Sequence, residues 1–479
     1  MYFFKTPAKL YYMKKIIGYG FLMFLVLTSS YAAKRNYFQH TTFYDLDTDK
    51  PVSYGTEYYD NQEEDCVFCR SFEDWFNGPY VFGGNHGIRK AAEDNGMFLN
   101  LTYLGNFAAN PVGGNSRGAS NTSNLNLGLD IDLQKITGID ELSGWGIANT
   151  WVYRFGQSLT KDYIDNTFNV QQNYGSQTMQ LQSLFMRYDK KFAGDEWRFF
   201  LKFGRIAAGD NFMSKPIYWL YQNNAFDGNP VGVFNQTKWS AYPGSTWGAM
   251  SMVKYEDGQY FKAGVYQINT DRQDSMQGLD WSFHGRGVNA TFEGGWDINH
   301  DDSGKSPGNI SAGLVADWYD AEYKDGSGRT DTFNYTVYIQ ADYMVWNLGQ
   351  VKTAKPRYIV RKGDRYRDLR GIVLWGAVQY NPNDDVAYMP FFANGGVLFN
   401  APFKSRADDV LCFGIAYGKY SGKLRDYEKN SYEMVLELNY KIQVNRFMFV
   451  QPNIQGIINP KGGKYSDAMV LGIQFGFNL

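Results

Sequence analysis

The chain has 479 residues, 47 Lys and Arg against 49 Asp and Glu, a net charge of -2 and a mean hydropathy of -0.45. Charges of both signs are mixed along its length, with no basic tract of the kind that phosphate contacts leave, which argues against a nucleic-acid partner. Aromatic residues make up 18% of the chain and 51 residues are glycine, a mixture that suits many half-exposed strands better than one large apolar core.

In chain order, Lys14-Lys15 precede an apolar run from Ile16 to Leu27, and small residues follow from Thr28 to Ala33. That is the layout of a secretory signal over residues 1–33, cleaved after Ala32 or Ala33. Met13 is an alternative start to Met1. The run is short for a spanning helix, and no later segment offers about 18 uninterrupted apolar residues. The exported chain is therefore expected to have no helical span, although strands can still cross a membrane. Residues 34–77 are polar and Tyr-rich, with an acidic cluster at Glu63-Glu64-Asp65, and read as a periplasmic extension outside the main fold. They contain Cys66 and Cys69 as a C-x-x-C, while Cys412 stands alone. In an oxidising compartment a structural or intermolecular disulfide is the default for such a pair. A zinc site would call for a second pair of ligands, and a thioredoxin-like motif for a βαβ context.

A short helix is expected over 86–95, stopped by Gly96. From there the period switches to two. Leu125, Leu127, Leu129, Ile131 and Leu133 alternate with Asn124, Asn126, Gly128, Asp130 and Asp132. Successive strand residues point to opposite faces, and two carboxylates facing a dry core would be costly. A water-filled interior accommodates them. Sixteen such strands can be placed, from 97–107 to 467–479, most long enough to cross a bilayer at a tilt. The last, Asp467 to Leu479, puts Met469, Leu471, Ile473, Phe475, Phe477 and Leu479 on one face, an edge that a closed barrel removes. Connectors broadly alternate: short at 191–195, 258 and 443–445, long at 108–123, 157–177, 207–245 and 270–285. The connector 347–368 is too long for its side. The fold expected is all-β: a single transmembrane antiparallel β-barrel of about 16 strands over 78–479, with a short N-terminal helix and a polar N-terminal extension.

Leu201-Lys-Phe-Gly-Arg-Ile-Ala-Ala-Gly-Asp-Asn-Phe212 and Tyr221-Gln-Asn-Asn-Ala-Phe-Asp-Gly-Asn-Pro230 resemble the carbohydrate-selective porin family (OprB-like). Tyr242-Pro243, Trp247-Gly248, Gly264 to Asn269, Val450 to Gln455 and Asn459-Pro460 agree in order, as do Gly87-Ile88-Arg89 and Asn95-Gly96. The resemblance covers about residues 75–479. It implies a sixteen-stranded outer-membrane barrel of a diderm bacterium that passes sugars by diffusion. One departure is Leu479, where such barrels usually end in an aromatic residue; Phe475 and Phe477 are the substitutes for recognition by the barrel-assembly machinery.

A sugar pore needs polar groups that trade hydrogen bonds with hydroxyls, aromatic faces for C–H surfaces, and weak enough binding to release. By parity the lumen candidates are Asp130, Asp132, Arg154, Arg198, Lys202, Glu433, Glu437 and Lys441. The loop 207–245 is expected to fold inward as the constriction, offering Asp210, Trp219, Asn223, Asn224 and Asp227 beside Lys215, Tyr221, Asn229 and Trp239. His40, His86, His284 and His300 are scattered, and no G-x-S-x-G, H-E-x-x-H or phosphate loop is present, so neither an enzyme nor a metal or cofactor is expected. The partners expected are sugars or similar small polar solutes and outer-membrane lipids. The alternatives are a general unselective porin and a structural envelope protein cross-linked to others through Cys66 and Cys69. Whether the barrel is a monomer or a homotrimer stays open at this stage.

Overall fold

The computed structural model describes residues 72–78, 80–82, 88–175, 178–226, 229, 231–268, 279, 285–299, 305–351, 365–366, 368–424 and 431–479. The export signal, Cys66, Cys69 and Asp227 lie outside the described residues. Helix α1, Phe72–Asn77, and helix α2, Ile88–Asp94, precede the sheet. Gly96, at φ +84°, turns the chain from α2 into the first strand.

Sixteen strands then follow in order. They are β1 Met97–Gly114, β2 Gly118–Asp132, β3 Trp145–Gly156, β4 Met179–Phe192, β5 Trp197–Ile206, β6 Thr246–Tyr255, β7 Gln259–Ile268 and β8 Gly287–Ile298. The second half is β9 Gly308–Trp318, β10 Asn334–Gln350, β11 Leu369–Tyr380, β12 Phe391–Asn400, β13 Val410–Lys419, β14 Tyr432–Gln443, β15 Met448–Ile458 and β16 Ser466–Asn478. Each pairs with its sequence neighbours, and β1 pairs antiparallel with β16, so the sheet closes as a barrel. A short hairpin, Ala321–Glu322 with Thr330–Asp331, decorates the connection from β9 to β10. No helix among the described residues is long and apolar enough to cross a membrane.

Parity sorts the wall as anticipated. Phe261, Val265, Phe292, Val337, Ile339, Leu411, Phe413, Ile415, Ile454 and Leu471 are outward and exposed. Asn124, Asp130, Lys254, Lys262, Glu293, Asp297, Gln340, Glu437 and Gln455 are inward and buried. Outward hydrocarbon is stable only against lipid, and closure leaves no unpaired backbone edge there.

Two sequence boundaries are corrected. The connector expected at 108–123 is mostly strand: β1 runs to Gly114, β2 starts at Gly118, and Asn110 pairs with Gly118. The run Asn-Pro-Val-Gly-Gly broke the apolar rhythm although the ladder continues through it. Likewise β10 continues to Gln350, which absorbs the start of the overlong connector 347–368. The β1–β16 seam is irregular at its outer end, with register shifts between Ala109 and Val112 and between Val112 and Gly114. Gly113 sits there at φ +78°, and a Cβ on it would lie 1.8 Å from the Asp467 carbonyl oxygen. Gly113→Ala is therefore expected to destabilise the seam by about 1–3 kcal/mol, read as a lower temperature for loss of the compact, heat-modifiable band on gels. An unchanged transition would contradict this account.

Candidate functional site in the barrel lumen

The loop from Ala207 to Ser245 leaves β5 and returns to β6, but it does not stay near them. Its base is pinned by Ala208 and Gly209, whose N–H groups donate to the Ser240 hydroxyl and carbonyl at 3.0 and 2.9 Å. Asn229 Nδ2 donates to the Gly209, Phe212 and Met213 carbonyls. The chain then tracks along the inside of the wall. Met213 N donates to Glu293 on β8 at 3.0 Å. Lys215 pairs with Asp342 on β10 at 2.8 Å and donates to Asn309 on β9. Tyr218 donates to Gln340 at 2.9 Å and packs on Trp375 of β11. Tyr221 donates to the Phe413 carbonyl on β13 at 3.0 Å and accepts from Trp375 Nε1 at 2.9 Å.

The far end of the loop is held by a carboxylate. Glu437 on β14 accepts the N–H groups of Gln222 and Asn223, one on each oxygen, at 2.9 and 2.8 Å. Asn439 Nδ2 adds a third donor at 2.7 Å. On β15, Gln451 donates to the Leu220 carbonyl and Gln455 accepts from Asn223 Nδ2. Four residues before Glu437, Glu433 does the same for the loop 157–177: it accepts from Thr167 and Phe168 N and, from a third loop, Lys461 N. A carboxylate is acceptor-only, so it can gather two or three backbone donors where an amide cannot.

The charged wall residues are largely matched. Asp130 on β2 takes both Arg187 Nη2 and Nε from β4 at 2.9 and 3.3 Å. The arginine lies across Gly146 of the intervening β3, where a Cβ would sit 2.8 Å from its Cζ. Asp189 and Arg198 form a second two-pronged pair at 2.9 and 2.7 Å. Asp297 joins Lys254 at 3.0 Å to Arg365 at 2.9 Å, and Lys262 pairs with Glu293 at 3.0 Å. All these side chains are at most 10% exposed.

The sequence-predicted residues therefore fall into separate places. Asp130, Arg198 and Glu437 are buried and fully engaged with protein partners. Asn223 is buried in the anchored end of the loop. Arg154 is buried, donating to Asn124 Oδ1 and the Gly175 carbonyl, with its guanidinium over the Tyr242 ring at 4.8 Å. Lys441 is buried with its ammonium over Phe449 at 4.8 Å. Asp132 does not reach the middle of the wall: it caps helix α3, Leu133–Thr137, by accepting from Lys135 N at the barrel rim. Tyr221, with Phe226, is packed against Trp375 rather than presented to the channel.

Of those that keep exposed surface, Asp210, Lys202 and Trp219 lie on the β2–β5 side, while Asn224 sits at the anchored end of the loop beside Asn223, its N–H donating to the Asn169 carbonyl at 2.9 Å and its Oδ1 buried. Asp210 is exposed and accepts from Gln182 Nε2 at 2.9 Å; Lys202, Trp219 and Asn224 are half-buried. Lys202 Nζ lies 3.2 Å from Asn211 Oδ1. Trp219 meets Tyr242 edge-on, with centroids 6.4 Å apart. Two residues of this cluster were not singled out from the sequence as pore-lining candidates. Tyr242 donates to Asn126 at 2.6 Å and accepts from Asn124 at 3.0 Å, and both it and Asn126 are half-buried. Asn126 shares the parity of Asp130 and was findable; Tyr242 lies in a loop, where parity says nothing. Among the described residues no group of His, Cys, Asp and Glu could hold a metal ion.

A closed sixteen-stranded barrel with an inward loop tied across its lumen defines a porin. The model of the carbohydrate-selective porin family OprB matches residues 116–479, and the chain belongs to that family. Porin B of Pseudomonas aeruginosa is 25% identical over 434 residues, covering 83% of this chain and 91% of that protein. The high-pH structure of Pseudomonas putida OprB superimposes with a TM-score of 0.70 at 22% identity, covering 84% of this chain and 99% of that one, which speaks for the fold. Family and fold make the protein a channel of the outer membrane of a Gram-negative bacterium.

Proposed function

We propose that this carbohydrate-selective porin passes small sugars down their gradient along the β2–β5 side of the lumen, between that wall and the inward loop. Trp219 and Tyr242 offer ring surface to pyranose C–H groups, and Asn126, Asp210 and Lys202 exchange hydrogen bonds with hydroxyls. What supports the reading is the contrast between buried and accessible groups: most charges of the wall are buried in ion pairs or against backbone donors, while the accessible set is mostly amide and aromatic. A pore so neutralised favours neutral polyhydroxy solutes over ions, and side-by-side weak contacts let the solute leave as easily as it enters. No covalent step is required. The export signal over 1–33, cleaved near Ala32 or Ala33, and a periplasmic extension over 34–77 with Cys66 and Cys69 as a disulfide belong to the same proposal.

Liposome swelling tests it. Monosaccharides are expected to enter faster than charged solutes of equal mass. Trp219→Ala is expected to slow pyranose entry about threefold, the worth of one modest aromatic contact, while a small linear polyol is unaffected. Uptake that follows size alone in both proteins would make this a general unselective porin and overturn the selectivity claim.

A further inference from the structure

Helix α1 reads Phe-Glu-Asp-Trp-Phe-Asn from Phe72 to Asn77. Phe72, Trp75 and Phe76 share one face at i, i+3 and i+4 spacing. The helix is fastened to the outside of the barrel at its short-turn end. Trp75 Nε1 donates to the Val81 carbonyl at 2.9 Å, and its ring meets Phe447 with centroids 5.2 Å apart. Val81 N donates to the Asn478 carbonyl at 2.9 Å, and Arg446 reaches the Asn77 carbonyl at 3.4 Å. Between this helix and the wall lies a groove of about 510 Å³, whose lining includes Phe72, Phe76, Met448, Phe477 and Leu479.

Two features say what fills it. Met448 and Phe477 are register partners, and both have the outward parity of Ile454, Leu471 and Ile473, which are 50%, 43% and 39% exposed on the lipid-facing band. The groove is thus the lower continuation of a surface already in hydrocarbon. Phe72 is 74% exposed and, among the described residues, meets rings of its own helix, Phe76 at 5.8 Å and Trp75 at 5.5 Å, an arrangement that water disfavours and a bilayer interface favours. We propose that the groove between α1 and the outer face of β15–β16 binds one acyl chain of a phospholipid in the periplasmic leaflet. In that position α1 fastens the preceding segment to the membrane surface.

The test places a photoreactive side chain in the full-length protein, Phe72→p-benzoylphenylalanine, with Ile473→p-benzoylphenylalanine on the open band as reference. Both are extracted from membranes in mild detergent, illuminated and weighed by mass spectrometry. A bound lipid survives extraction better than bulk lipid, so the Phe72 probe is expected to give a phospholipid adduct in several times the yield of the Ile473 probe. Adding Phe76→Asp to the Phe72 probe is expected to abolish that adduct while the protein keeps its heat-modifiable fold. Equal or lower phospholipid yield at Phe72, adducts instead with residues 34–71 or another protein, or an adduct that survives Phe76→Asp would each overturn the proposal.

Discussion

Glu437→Gln is expected to raise the size limit of the channel without dismantling the barrel. The carboxylate holds two consecutive backbone N–H groups, Gln222 at 2.9 Å and Asn223 at 2.8 Å, in a site with no exposure. Glutamine keeps one acceptor and turns a donor toward the other N–H, so one bond is lost and two donors face each other. Hydrogen bonds to charged groups contribute about 1.5–3 kcal/mol each, which puts the loosening of the loop at about 2–4 kcal/mol. Tyr221, Gln451 and Gln455 still hold the neighbouring residues, so the far end of the loop gains motion rather than leaving the lumen. In swelling assays trisaccharide entry should rise severalfold with monosaccharide entry little changed, and single-channel recordings should become noisier. An unaltered size profile with quiet recordings would show that this carboxylate does not set the width of the passage.

The second large effect is expected from Asp297→Asn. This side chain has no exposure and neutralises Lys254 at 3.0 Å and Arg365 at 2.9 Å. The amide preserves shape and the contact with Asn309, but removes the carboxylate charge that lies between two buried cations, of which Arg365 keeps Asp342 at 3.9 Å. Removing one partner of a buried pair costs about 3–5 kcal/mol. The barrel should therefore lose its compact form at a clearly lower temperature. Reversal potentials in a salt gradient should move toward anion preference. Lys254→Met in the same chain should recover part of the stability, since partners in one network are not additive. If the single variant matched the parent in both measurements, the pairing would be of no energetic consequence.

What could be read from the residues was governed by locality. Leu125 to Leu133 alternating with Asn124 to Asp132 is a local pattern, and it was enough to number the strands, assign both faces and anticipate closure. Parity put Asp130, Arg198, Lys202, Glu437 and Lys441 on the lumen side. It could not say that Asp130 is spoken for by Arg187, 57 residues on, or that Glu437 serves Gln222 and Asn223, more than 200 residues earlier. Those pairings depend on cross-strand register and on where a long loop comes to rest. Asp132 shows a related limit: it has the lumen parity, but the strand ends there and its carboxylate is used to start α3. Tyr221 and Tyr242 show the same limit from opposite sides, one turned into the wall and the other toward the accessible cluster.

The inward loop springs from β5 and β6, yet its far end is fastened to β14 and β15, nearly the last strands to be made. A sheet that stopped at β11 would hold the loop by Met213, Lys215 and Tyr218, but would leave Gln222 and Asn223 without Glu437 and Gln455. Sieving and completeness are thus tied together: a molecule stalled before its final hairpins lacks the anchors for the far end of its filter, and one with that end fastened has already built the last part of its wall.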